Sequence, residues 1–273
     1  MRTLLYRVTL CHGARAAVLR PTLCRVKARQ MFTLANPHRF LTYSGPLVPW
    51  TAGLAAVLLT VGVVWGLVFA PPDYQMGDTV RIMFVHVPSA WMAMAVYTFM
   101  ASASLASFIW RHSLADIAAR AAAPLGLGFN FLALVTGALW GQPMWGTFWV
   151  WDARLTSFLV LFFFYIGYIA VWEAIEDPHK AGRAASVLAI IGFINVPIVK
   201  FSVDWWYTLH QSASLIKMSA PSIHWTILTP LLIMVVAYTV LFVALVLMRM
   251  RTEIFIRQIN RLQISAAQGT RSA

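Results

Sequence analysis

Four tryptophans, Trp140, Trp145, Trp149 and Trp151, fall within twelve residues, and Asp152 and Arg154 follow directly in the run MWGTFWVWDARLT. Tryptophans at a helix end ordinarily form a membrane-interface belt, for which one or two per end suffice. Four exceed that need. The spacing sets Trp145, Trp149 and Asp152 at i, i+4 and i+7, which on a helix is one face. The expectation is a flat aromatic platform with a charged edge. It would suit a large, planar, apolar ligand with acidic groups, whose carboxylates Arg154 could pair through charge-assisted hydrogen bonds.

Histidine separates the candidate ligands, because heme iron needs axial ligands and a quinone or lipid does not. Of the seven histidines, His12, His38, His112 and His179 fall on the inner side of the topology argued below, leaving His86, His210 and His224 outside. His86 lies in RIMFVHVPSAW, where Pro88 helps fix a helix start. His210 stands in SVDWWYTLHQSAS behind Trp205 and Trp206, and His224 opens the last apolar stretch in PSIHW. One interfacial histidine is usually a hydrogen-bonded anchor. Two or three from different loops beside an aromatic surface favour heme. Arg81, five residues before His86, reads equally as a propionate partner and as a contact to lipid phosphates.

The elements that must position these residues are membrane helices. The chain has 273 residues, 60% hydrophobic and only 11% charged, with a mean hydropathy of +0.72. Soluble domains lie well outside that range. Six apolar stretches, at about 47–70, 89–110, 121–140, 155–173, 184–199 and 225–248, are each of a length that crosses about 30 Å of hydrocarbon. The fifth is short and carries Pro197.

The fold class is therefore all-α integral membrane, with six transmembrane helices and both termini on one side. Of the 21 Lys and Arg, only Arg81, Arg154, Lys200 and Lys217 fall on the opposite side, so the termini are expected to be cytoplasmic. The same rule accounts for the net charge of +12 without nucleic acid as a partner. The tryptophan-rich segment then lies at the outer face.

Residues 1–46 read as a basic tail, 47–248 as the membrane domain, and 249–273 as a cytoplasmic tail whose RMRTEIFIRQINRLQ stretch reads as a surface helix on the inner leaflet. Residues 1–30 fit either a transit segment or an over-extended start; their poverty in serine favours a start at Met31. The two cysteines, Cys11 and Cys24, make no C-x-x-C or C-x-x-C-H, which excludes a thiol-redox pair and covalent c-type heme attachment. No G-x-x-x-x-G-K-[ST] occurs, so any ATP-driven step belongs to a partner. The polar residues within the spans, Asn130, Thr136 and Asn195, are not ionisable, which argues against a proton relay. Gly137 and Gly141 form a G-x-x-x-G, a weak helix-packing signal.

From about Phe32 to Met250 the chain resembles the CcmC family, also called HelC or heme exporter protein C, of bacterial and mitochondrial cytochrome c maturation. The resemblance rests on ANPHRF, APPDYQMGDTVRIMFVHVPSAWM, WGTFWVWDARLTS and VDWWYTLHQ. The tryptophan-rich signature belongs to a wider superfamily of heme-handling membrane proteins. The contexts of His86 and His210, with six spans, single out the family. What the resemblance implies is that His86 and His210 are axial ligands of a non-covalently held heme b, and that the tryptophan segment presents heme to the chaperone CcmE. It also implies the partners CcmD, CcmA and CcmB, and a site facing the periplasm from a bacterial inner membrane, with the mitochondrial inner membrane as the alternative. His224 matches no family ligand position and stands as a secondary candidate with Trp205 and Trp206.

The expected role is binding and handover rather than enzyme catalysis, with help in attaching heme to CcmE left open. Within the superfamily the alternative is a heme lyase, whose members are longer and carry further histidines. From a different class, a permease subunit of an ABC exporter is opposed by the lack of a charged or broken helix at the membrane midplane.

Overall fold

A computed structural model describes residues 36–210 and 223–271; Cys11, Cys24, His12, Met31, Lys217 and most of the basic tail lie outside the described residues. The chain divides into two units, 1–40 and 41–273. In the first, the Asn36 side chain accepts from the His38 backbone N–H at 2.9 Å, capping a helix start. The helices are α1 (Pro37–Val64), α2 (Met83–Trp110), α3 (Ser113–Trp145), α4 (Ala153–Ala174), α5 (Pro178–Phe193), α6 (Asn195–Trp205) and α7 (Trp225–Arg271). A π turn, Trp65–Phe69, extends α1, and a 3-10 turn, Asp78–Ile82, leads into α2.

Joined where they run on, these make six spans long and apolar enough to cross a membrane, the number expected from hydropathy. No strand occurs among the described residues. The structure differs from the sequence reading at the C-terminus. The stretch expected as a separate surface helix continues α7 without a break to Arg271.

Small residues let the bundle close tightly around large aromatic ones. Ala181, Ala185 and Ala189 repeat every fourth position on α5 and are fully buried, with Ala119 and Ala123 of α3, against Tyr97, Tyr165, Tyr168 and Trp172. Close approach of this kind drives helix association where lipid removes the hydrophobic incentive. At Gly126 an added Cβ would fall 2.2 Å from the Tyr165 hydroxyl, so only glycine admits that ring. The Tyr165 hydroxyl in turn donates to the Ala93 carbonyl at 2.7 Å. Asn195, where α5 gives way to α6, donates to the Ser157 carbonyl at 2.8 Å, and Asn130 reaches the Phe158 carbonyl at 3.5 Å. Both intramembrane asparagines thus tie neighbouring helices to α4.

Candidate functional site

A cavity of about 760 Å³ opens among α2, α3, α4, α6 and the start of α7, with the 73–76 turn at its edge. Cofactor sites usually enclose roughly 300–1,000 Å³. Met94, Leu134, Phe158 and Leu231 make its deep wall apolar. Nearer the helix ends it is lined by His86, His210, His224, Arg154, Lys200 and tryptophans 140, 145 and 149.

His86 closes the first turn of α2, where its ring lies against α3. Its Nδ1 is 3.1 Å from the Ala133 carbonyl and 3.2 Å from the Thr136 hydroxyl oxygen. A carbonyl only accepts, so Nδ1 carries the proton and Nε2 keeps its lone pair. The His210 ring centroid stands 6.5 Å from that of His86 with the planes at 37°, and 6.4 Å from Trp145. The two histidines, far apart in sequence, therefore meet at one cavity. His224 lines the same cavity; its Nδ1 is 2.9 Å from the Thr226 hydroxyl oxygen, and its carbonyl accepts from the Ile227 and Leu228 N–H groups that start α7.

The tryptophan segment departs from the expected helical platform. α3 ends at Trp145, because Gly146 takes a φ of +77° and closes the helix through its N–H to the Gln142 carbonyl. Glycine is the residue that adopts this left-handed cap without strain. Trp149 then lies outside any helix, and Asp152 caps α4 by accepting from the Leu155 N–H at 2.8 Å. Trp140 meets Trp145 edge-on at 5.2 Å and 86°, and Trp149 meets Trp151 at 5.5 Å and 77°. Trp140, Trp145 and Trp149 form upright aromatic walls of the cavity, while Trp151 is exposed and does not line it. Trp205 and Trp206 are also exposed, Trp205 stacking on Phe201 at 5.4 Å.

Of the two arginines, the structure brings Arg154 to the cavity and not Arg81. Arg154 reaches across to α6, its Nε 3.3 Å from the Ser202 hydroxyl and its Nη2 3.4 Å from the Val199 and Lys200 carbonyls. Arg81 is engaged elsewhere, by the Asp78 carboxylate at 3.2 Å and the Leu67 carbonyl.

Sequence reasoning missed Lys200, Trp91 and the 73–76 turn as cavity residues. That turn is closed by Asp73, whose backbone exchanges hydrogen bonds with Gly77 and whose side chain accepts from the Gln75 and Met76 N–H groups. The α2 face was legible in principle, since Ala90 and Met94 follow His86 at i+4 and i+8. No sequence signal singles out Lys200.

The family model described as CcmC, heme exporter protein C, matches residues 30–265, a stretch that contains every residue of the cavity. The chain belongs to the heme exporter protein C family. It is 54% identical to the heme exporter protein C of Bradyrhizobium diazoefficiens over 87% of this chain and 90% of that protein. The Escherichia coli K12 heme exporter protein C is 45% identical over 87% of this chain and 96% of its own length. That of Haemophilus influenzae is 46% identical over 86% and 96%. These relatives are matched over 90–96% of their own length, and the cavity residues, 73–231, all fall within the stretch that the family model covers.

Proposed function

We propose that this chain binds heme b non-covalently at the periplasmic face of a bacterial inner membrane and passes it to the heme chaperone CcmE for cytochrome c maturation. The meeting of His86 and His210 carries the reading. Two imidazoles sharing one iron, with Fe–N bonds of about 2.0 Å and a ring radius of about 1.1 Å, have centroids about 6 Å apart. The observed centroid separation is 6.5 Å, at a cavity of cofactor size. The donor set fits the group: two imidazoles, three tryptophan walls, and the cations Arg154 and Lys200.

When bound, heme supplies an iron that takes a nitrogen from each imidazole. His86 and His210 hold that iron, with Nε2 of His86 free of its proton. Trp140, Trp145 and Trp149 exclude water from the apolar ring system, and Arg154 and Lys200 attract its carboxylates. Neither of the chain's two cysteines, Cys11 and Cys24, stands in a C-x-x-C-H motif, which favours heme held without a c-type covalent bond. The chain acts as a carrier and not as an enzyme. Its orientation follows from the concentration of Lys and Arg on the side of the termini, which become cytoplasmic. The names of the relatives support a place in heme export; CcmD and the ABC subunits CcmA and CcmB are proposed as further partners on the family resemblance of the sequence alone.

The test is to purify the chain with and without CcmE and to take absorption spectra of each component. A Soret band with sharp alpha and beta bands on this chain, and heme on CcmE only after the two are coexpressed, is the expected result. A colourless chain, or heme on CcmE in its absence, overturns the proposal.

A further inference from the structure

One turn of α3 does more than border the cavity. The Ala133 carbonyl and the Thr136 hydroxyl both face Nδ1 of His86, at 3.1 and 3.2 Å. The Thr136 hydroxyl spends its own proton on the Leu132 carbonyl at 2.7 Å, so its lone pairs are what it offers to the imidazole. Immediately after it comes Gly137. A Cβ there would stand 3.0 Å from Cε1 of His86 and 3.4 Å from Nδ1, but 4.0 Å from Nε2. The missing side chain is therefore what lets the ring lie edge-on against α3 with Nε2 as the ring nitrogen farther from that helix.

We infer that Thr136 and Gly137 are positioning residues, which hold His86 as the Nδ1–H tautomer and aim its Nε2 into the cavity. The inference rests on the reading of His86 as an iron ligand and deepens it. Hydrogen bonds to the far nitrogen of a ligating imidazole fix its ring orientation and raise its basicity, and losing such a partner commonly weakens metal binding about 10- to 100-fold. Two acceptors on one N–H, both carried on the rigid backbone or first side-chain atoms of a single helical turn, give His86 little freedom to rotate. Thr136 and Gly137 thus have a role separate from helix packing, which is the ordinary reading of a small polar residue and a G-x-x-x-G in a membrane helix.

The test uses the full chain loaded with heme, comparing wild type with Thr136→Val, Thr136→Ser, Gly137→Ala and His86→Ala. Heme per protein, the absorption spectrum and the midpoint potential are measured on each. Thr136→Val keeps the shape but removes one of the two acceptors, leaving the Ala133 carbonyl. It should leave a six-coordinate spectrum, bind heme about tenfold more weakly, and shift the midpoint potential upward, because a less basic imidazole stabilises ferric iron less. Thr136→Ser should restore the wild-type potential, a rescue that a purely structural role does not predict. Gly137→Ala should turn the ring and lower heme content with a mixed-spin spectrum. If Thr136→Val and Gly137→Ala both keep wild-type potential and heme content while His86→Ala loses the six-coordinate spectrum, the positioning inference is wrong and the ligand reading survives. If His86→Ala itself keeps the wild-type spectrum, the ligand reading fails and takes the inference with it.

Discussion

Replacing either His86 or His210 with alanine should turn six-coordinate low-spin heme into a five-coordinate form that added imidazole restores, as seen by absorption spectroscopy. A wild-type spectrum in both variants would move the ligands elsewhere, with His224 next because it lines the same cavity. Arg154→Ala should lower heme retention about tenfold or more, since a charge-assisted hydrogen bond is worth about 1.5–3 kcal/mol. Arg154→Lys should recover only part of it, because an ammonium lacks the planar fork. The structure adds that the alanine variant also loses the arginine's contacts to Val199, Lys200 and Ser202 of α6, so thermal stability must be measured beside heme content. That the histidines and Arg154 gather at one cavity was legible in sequence, because few polar groups stand at the ends of the apolar spans. Arg81, read equally as a propionate partner and as a lipid contact, does not line the cavity, and the nearby Asp78 takes its guanidinium in space. Lys200 was counted among the four cations opposite the termini but not placed at the cavity, because a single lysine beyond a short, proline-bearing span carries no register.

At the scale of elements, the 146–152 segment shows how one glycine changes a periodicity argument. The i, i+4, i+7 spacing of Trp145, Trp149 and Asp152 presumes a continuous helix, but the left-handed Gly146 stops α3 one residue after Trp145. The tryptophans still converge on the cavity, through the return of the chain and not through a helical face. Asp152 then has a cap to make, and its two candidate roles separate by mutation. Asp152→Asn keeps an oxygen for the Leu155 N–H and removes the charge; Asp152→Ala removes both, with loss of the cap costing about 1 kcal/mol. If Asp152 serves the site through α4, heme content should fall in the alanine variant and stay near wild type in the asparagine variant. Equal losses in both would make the charge itself the contribution. Pro197 likewise looked like an uncertain end of a span, and it falls in the first turn of α6, where a missing N–H costs little.

Over the whole molecule, six spans follow from hydropathy alone because each must satisfy its backbone within itself to cross the bilayer. The reach of α7 does not follow. Its 47 residues extend about 70 Å at 1.5 Å per residue, far more than the hydrocarbon thickness. Two charged contacts distant in sequence hold its C-terminal half to α3, Arg257 to Asp116 at 3.0 Å and Glu253 to Arg120 at 2.9 Å, and an i,i+4 pair within α7 joins Glu253 to Arg257 at 2.8 Å. Arg120 also lies over the Trp172 ring at 4.6 Å. A sequence window that sees only local amphipathicity assigns these residues to a surface helix, because the partners on α3 lie more than a hundred positions away. The cluster sits near the start of α3, whereas His86 meets that helix at Ala133 and Thr136, about 25 Å further along by helical rise. Stability and heme binding should therefore separate. Glu253→Gln leaves the shape unchanged but removes the shared carboxylate between two half-exposed arginines, for a loss of about 1–2 kcal/mol after solvent screening. For a chain of this size the detergent-solubilised protein should melt a few degrees lower, with heme per protein and the heme spectrum as in wild type. A variant that melts like wild type but holds less heme would instead mean that the cluster at the start of α3 is coupled to the cavity through that helix.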